Sequence, residues 1–500
     1  MDNLNSSYVH KPFILSKGSL CLFLVLASAN VKADAESNSP VKRTLNGDMT
    51  LNWHVNPKPA TNFSEVFTNG VAYGRLRSNT FYWDQKNETA SRQDNRANGF
   101  GGSVIFKTAP FNGLSATLGL YTTQSPDLFR EDRDDVTLVR AGKDTFDRNK
   151  VIGGGDFGIS KIGEAYLQYD VADTSISAGR QLFESMLTAS NDTKMIPNVF
   201  DGISITHWGI SDTTLKLGYF TRQSLRDHTR SNDVIAWFGF KQNDDSGANR
   251  SLTSDLVGTD NELIVAEVDN RSFDNWNLRL NYTAVPDVFY TIGAEANYTF
   301  KLANRWSIIP GVRYINQYDD LNTDMDVASL SGEGRAGGFG YQNPASLDSG
   351  LFNARVDFKK SAFKLRLGFS KVADEADIIA PFRGFPTGGY SRAMGQVNWW
   401  ANTKTFMVRI DYQLTTPGPL NNVKVLARYA IQDFDDSKDY VPADSDVIHI
   451  DLVKQLTEKL HARLRFGFVD AQGDIQRANL GEVKYDGSYN EYRFELNYLF

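Results

Sequence analysis

The sequence predicts an all-β fold: one transmembrane antiparallel β-barrel of about 18 strands, with short periplasmic turns and long extracellular loops. Three observations predict it. Side chains alternate with period two from near residue 70 to Phe500, connections alternate between very short and long, and each run sets an apolar row against a polar or charged one. A row of β-sandwich domains needs linkers and a composition break every hundred or so residues, and the chain shows neither. An open sheet of this many strands leaves exposed edges, whereas closure removes them.

Composition excludes several other classes. A mean hydropathy of -0.39 rules out a bundle of membrane helices. Forty Gly against 15 Pro, with 12% aromatics, is a strand-and-turn composition rather than a disordered or collagen-like one. The net charge of -7 offers nothing to nucleic acid, so no nucleic-acid partner is expected.

Taken in chain order, the first element is an export signal. Lys11 and Lys17 precede the apolar stretch from Leu20 to Ala29, and Ala33 and Ala35 supply small residues at signal-peptidase spacing. Residues 1–35 are therefore assigned to a signal peptide cleaved after Ala35, with Ala33 as the alternative. Loss of Lys11, Lys17 and Lys32 against Asp2 and Asp34 takes the net charge from -7 to -8. Cys21, the only cysteine, falls inside this segment, so the exported chain has no thiol for a disulfide, a zinc site or a nucleophile. Residues 36–64 are assigned to a periplasmic amino-terminal segment and 65–500 to the barrel.

Within the barrel, the final run is the clearest strand. Tyr492, Phe494, Leu496, Tyr498 and Phe500 share one face, and Glu491, Arg493, Glu495 and Asn497 the other. Residues 406–414 and 463–468 alternate in the same way, as do 276–284, 292–300, 306–314, 352–359, 363–371, 423–432 and 447–453. Turn-forming residues at 110–113, 172–173, 211–212, 303–304, 360–361, 416–419 and 457–458 join pairs of runs. Long polar connections at 87–98, 123–158, 182–198, 222–261, 318–349, 372–402 and 470–488 separate those pairs; residues 234–240 have strand character but fall inside one of them and are assigned to a folded loop element. Trp83, Trp276, Trp306, Tyr314 and Tyr498 near strand ends fit interfacial girdles.

The terminal Tyr498-Leu-Phe500 is similar to the signature by which Gram-negative outer-membrane barrels are recognised for assembly. Together with Gly179-Arg-Gln181, the 194–202 segment Lys-Met-Ile-Pro-Asn-Val-Phe-Asp-Gly, Gly74-Arg-Leu-Arg77 and Phe81-Tyr-Trp83, it makes the chain resemble an OprD-type porin across most of residues 65–500. The resemblance implies an eighteen-stranded barrel in the Gram-negative outer membrane, a third loop folded inward as a constriction, an arginine ladder on the wall, and passive uptake of small, often carboxylate-bearing nutrients. Its expected partners are outer-membrane lipid and lipopolysaccharide, the barrel-assembly machinery acting through Phe500, and small solutes. Monomer and trimer both remain open.

The polar rows themselves supply candidate site residues. Arg75 and Arg77 on the first strand and Arg355, Arg366, Arg409, Arg428, Arg463, Arg465 and Arg493 on strands of the last third become neighbours once the barrel closes. Guanidinium groups stay charged and bind carboxylates through paired hydrogen bonds, so such an arc can pass an anion along. The competing reading pairs them with Asp357, Asp411, Asp451, Glu491 and Glu495 in the same wall. Residues 182–198, with Glu184, Asp192 and Lys194, are the candidate constriction loop; residues 372–402, with Arg383 and Arg392, are expected to fold against it. A sugar-selective porin is the alternative, with Tyr390, Trp399 and Trp400 as stacking platforms, and a barrel enzyme is a minor one. The six His occur singly without a catalytic spacing, so no catalytic residue, metal or cofactor is expected.

Overall fold

The computed structural model describes residues 40–45, 50–140, 142–236, 251–330, 338–394, 397–415 and 418–500. The signal peptide, Cys21, the 237–240 end of the folded loop element and part of the 416–419 turn lie outside them.

Eighteen antiparallel strands close into one barrel. The first, Val71–Gln85, pairs on one side with the second, Asn95–Lys107, and on the other with the last, Tyr489–Leu499. Phe300–Lys301 continues the tenth strand, Phe289–Tyr298, past Thr299, and both pair with the eleventh, Trp306–Asp319. At the seam, Phe500 N–H donates to the Gly74 carbonyl at 3.0 Å and Gly74 N–H to the Phe500 carbonyl at 3.1 Å. The terminal residue thus completes the closing ladder.

Alternation holds strand by strand. Phe494 and Tyr498 are each 41% exposed on the outer surface, where hydrocarbon covers them, while Glu491, Arg493, Glu495 and Asn497 are buried inside. Phe406, Val408, Ile410 and Tyr412 likewise face outward and Met407 inward. Trp276, Tyr314 and Tyr498 are exposed on the outer face as a girdle requires, and Trp306 is half-buried. Trp83 is a correction. It shares the inward face of the first strand with Tyr73, Arg75, Arg77, Asn79 and Phe81, and stacks on Tyr489 with ring centroids 3.5 Å apart.

The short turns sit where the sequence places them, with Ala172, Asp212, Asn304 and Ser361 at positive φ of 48° to 57°. One extracellular connection breaks the short-long rule: Trp276–Val285 and Phe289–Tyr298 are joined by three residues, with Asp287 at φ 60° and Val288 N–H donating to the Val285 carbonyl. Four of the extracellular loops do not stand free above the barrel. Phe183, Val234, Ile235, Leu252, Val327, Leu330, Leu347, Ile379 and Phe382, all from loops, form an apolar core with Phe200, Phe220, Val265 and Phe289 of the wall. The described part of 234–240 is buried here without strand pairing, as a folded loop element should be.

Before the barrel, Val41–Leu45 and Leu51–Val55 pair as a ribbon, and a helix, Phe63–Thr68, leads into the first strand. Asn62 caps the helix by accepting from Glu65 N–H, and Glu65 reaches back to accept from Thr61 N–H at 2.8 Å.

Deleting Phe500 removes two seam hydrogen bonds worth about 1 kcal/mol each, before any loss of ring packing. The expected outcome is a lower temperature for loss of the compact, heat-modifiable gel band and a lower folded yield; unchanged values would separate the terminal residue from closure.

Candidate permeation pathway

A cavity of about 840 Å³ runs through the interior between the wall and two inward loops. Strand parity sends every arginine of the expected ladder to the inner side, but their positions divide. Arg366, Arg409, Arg428, Arg465 and Arg493 line this cavity. Arg75, Arg77 and Arg463 are instead buried in the wall: Arg75 and Arg77 are salt-bridged to Asp192, and Glu495 bridges Arg77 at 2.6 Å and Arg463 at 2.5 Å. Arg355 lines a second cavity of about 490 Å³, together with Trp276, Arg279, Glu295, Asn297 and Lys301 at the periplasmic ends of neighbouring strands.

The registers align a row that the sequence only hints at. Arg366 lies opposite Arg409, Arg409 opposite Arg428, and Arg428 opposite His449 on four successive strands. Neighbouring strands are about 4.8 Å apart, so three guanidinium groups share one level of the wall.

Each acid expected to compete for the arginines does pair with one. Arg366 pairs with Asp357 at 2.6 Å, Arg409 with Asp411 at 2.6 Å, Arg465 with Asp451 at 2.7 Å and Arg493 with Glu491 at 2.6 Å. Pairing does not remove the positive field, because most of these acids sit behind the guanidinium groups. Asp357, Asp411, Asp451 and Glu495 do not line the large cavity. Its lining carries thirteen Arg and Lys against four Asp and Glu, an excess of nine. Among the described residues, Arg355 and Arg428 have no carboxylate within 4 Å; Arg355 donates to the Gly389 carbonyl and Asn297, and Arg428 to the Arg392 carbonyl.

Residues 182–198 cross the lumen. The loop is rooted on one wall, where Met186 N–H donates to Glu267 at 2.6 Å and Lys216 to the Glu184 carbonyl at 2.8 Å. On the far side Asp192 pairs with the first strand and Lys194 lies 4.7 Å above the Phe81 ring. The 372–402 loop folds against it, as expected. Ala189 N–H donates to the Phe382 carbonyl, Gly384 N–H to the Leu187 carbonyl, and Thr188 bridges to Arg383, whose φ is 70°. Glu184, Asp192, Lys194, Arg383 and Arg392 all line the cavity. Arginines of the wall hold the second loop by its carbonyls: Arg313 donates to Pro386 and Gly388, and Arg366 to Gly389.

Lys194 is 3.1 Å from Asp144, and Arg226 is 3.2 Å from the same carboxylate. Burial opposes ionisation of Asp144, but Arg226, Lys194 and Arg383 outweigh it and hold the carboxyl well below its usual range. Burial pushes the Lys194 amine down to about 8, against the pull of Asp144.

Two of the three stacking platforms of the sugar alternative are buried, and the third, Trp400, is half-buried. Trp399 is 1% exposed in a core with Met186, Leu351 and Ala380, and Tyr390 is covered by Arg313 and Arg355 at 4.8 and 4.7 Å from its ring. Local aromatic composition carries no information about such cover. Arg279 and Arg313, which also line the cavity, were not singled out in the sequence, although the same parity rule places them inward between Leu278 and Leu280 and between Val312 and Tyr314. Arg226 and Arg140 come from loops, where no periodicity could have marked them.

A family model for outer membrane porins of the OprD family matches residues 157–419. Acinetobacter baumannii OccAB3 has the same fold, with a TM-score of 0.67 at 15% identity over 87% of this chain and 99% of that one. Pseudomonas aeruginosa OpdK with vanillate aligns with a TM-score of 0.62 at 15% identity over 86% and 98%, and a BenF-like porin from Pseudomonas fluorescens with 0.64 at 14% over 87% and 99%. No curated protein sequence matches the chain significantly.

Two outcomes follow from this geometry. A Cβ on Gly384 would lie 2.2 Å from the Leu187 carbonyl carbon, so Gly384→Val is expected to part the two loops and change single-channel conductance while the barrel keeps its heat-modifiable mobility. Raising the pH from 7 to 9 takes Lys194 through its depressed value of about 8 and removes its charge. Anion preference measured from reversal potentials should fall by up to roughly two-fold, and Lys194→Gln should abolish the part of that change that Lys194 carries.

Proposed function

Because the chain belongs to the OprD family of outer membrane porins, we propose that its channel favours small carboxylate-bearing solutes among those that diffuse through it. The family and the closed barrel are those of a channel in the Gram-negative outer membrane for diffusion of small molecules. The observation that carries the carboxylate reading is the row of Arg366, Arg409 and Arg428 at one level of a lining with an excess of nine basic side chains. A carboxylate can take paired hydrogen bonds from one guanidinium and pass to the next, and the chemically similar spacing of sites keeps each bound state weak enough to leave. Vanillate, carried in the structure of OpdK, is itself a carboxylate. The constriction under this reading is shared by residues 182–198 and 372–402, with Glu184, Asp192, Lys194, Arg383 and Arg392 at its rim. Arg75, Arg77 and Arg463 serve it from below by anchoring Asp192 and the last strand.

Liposome swelling with a carboxylate and its size-matched amide tests the proposal. A unit-charge contact at 4 Å is worth about 1 kcal/mol in bulk water and more in a confined lumen. The wild type is expected to admit the carboxylate faster, and Arg409→Ala with Arg428→Ala should cut that advantage by roughly ten-fold or more. Equal rates for both solutes in both proteins would reduce the arginines to wall supports.

A further inference from the structure

We infer that the amino-terminal ribbon, Val41–Leu45 paired with Leu51–Val55, is a wall of the permeation pathway: it fills one side of the lower lumen and confines the exit to the side lined by Arg279 and Arg355. The inference rests on the chain being a channel and is independent of which solute it prefers.

An inward row in a water-filled barrel is ordinarily polar. On the first three strands, however, Tyr73, Ile105 and Tyr121 are buried on the inner face. The ribbon covers them. Trp53 lies 5.0 Å from the Tyr73 ring, Val55 is 8% exposed within the same cluster, and Val41 packs at its edge. Met195 and Ile196 of the 182–198 loop close the cluster from the other side. Ribbon and loop therefore share one apolar footing. An isolated two-stranded ribbon is marginal in water, and burial of Trp53 and Val55 against the wall supplies what it lacks.

The ribbon also extends past the closing seam along the same side of the wall. Arg43 donates to the Glu458 carbonyl at 3.2 Å, in the periplasmic turn between Ser445–Gln455 and Leu460–Ala471. Thr50, Leu51 and Asn52 line the large cavity in company with Asp192, Arg409 and Arg493. They bring no charge to it. The lower cavity, by contrast, is built entirely from residues 275–355, and Arg279 lines both cavities. A solute leaving the arginine row thus meets the uncharged Thr50, Leu51 and Asn52 of the ribbon on one side and the Arg279–Arg355 side on the other, where the second cavity continues the path.

The test is electrical and needs no substrate. Asn52→Cys in a Cys21→Ser background, reconstituted in planar bilayers in KCl, is treated with an anionic methanethiosulfonate reagent and its labelling checked by mass. The added bulk and charge should lower single-channel conductance and shift the reversal potential toward weaker anion preference. Independently, deletion of residues 40–56 should raise conductance roughly two-fold by widening the path. Complete labelling at position 52 with unchanged conductance would place the ribbon outside the path and overturn the inference. Should the deletion fail to fold, the cysteine variant decides alone. Loss of the carboxylate advantage in swelling experiments would leave this result untouched, so the two readings fail separately.

Discussion

Closing the sheet on itself is the constraint from which the remaining features follow. Once the last strand pairs with the first, every side chain on the wall has one of two solvents, hydrocarbon or the lumen, and a shift of one residue in register would exchange them. The seam between Phe500 and Gly74 is therefore tied to the chemistry of the pathway as well as to stability. It brings Arg493 and Glu495 beside Arg77 and Phe81, which are four hundred residues away in sequence, and makes a single arc from two ends of the chain. The same geometry explains why Trp83 stacks inside on Tyr489 while Tyr82, one position earlier, faces outward.

An acidic chain can still present a basic path because charge acts locally. Paired acids such as Asp357, Asp451 and Glu495 lie deep in the wall, with guanidinium groups between them and the cavity. A permeating anion feels the nearest charges most, whereas acids on the outer loops are screened within about 8 to 10 Å at physiological salt. Pairing is also what makes so many arginines tolerable in one interior, since an unpaired buried cation is costly. The two readings of these residues, ladder and wall support, are in this sense one arrangement. The acid orients each guanidinium, and its outer edge faces the lumen or holds a loop carbonyl.

The inner loops are positioned by a different force. Phe183, Phe382 and Ile379 join Val234, Leu252 and Leu330 in an apolar core within the barrel mouth, and hydrogen bonds from Ala189 and Gly384 then fix the two loops to one another. That core fills one side of the mouth. The arginine row is left facing the remaining space, with the amino-terminal ribbon occupying part of the lumen below. Three segments that do not belong to the wall, residues 182–198, residues 372–402 and the ribbon, thus line the large cavity beside the arginines.

Period-two alternation was enough to assign the all-β class, the approximate number of strands, the inner and outer rows, and the inward direction of each ladder arginine, because those properties depend only on residue parity along a strand. The resemblance of its short motifs to a porin family supplied the further expectations of an outer-membrane channel and of a constriction at residues 182–198. Which arginines reach the cavity was not legible. Arg366, Arg409 and Arg428 line it while Arg75, Arg77 and Arg463 are covered, and that division depends on where a loop 117 residues beyond Arg75 sets Asp192 and where the last strand sets Glu495. The cover over Tyr390, the burial of Trp399 and the lumenal seat of the ribbon are decided in the same way. Each depends on contacts between segments far apart in the chain, which local periodicity does not encode and tertiary packing does.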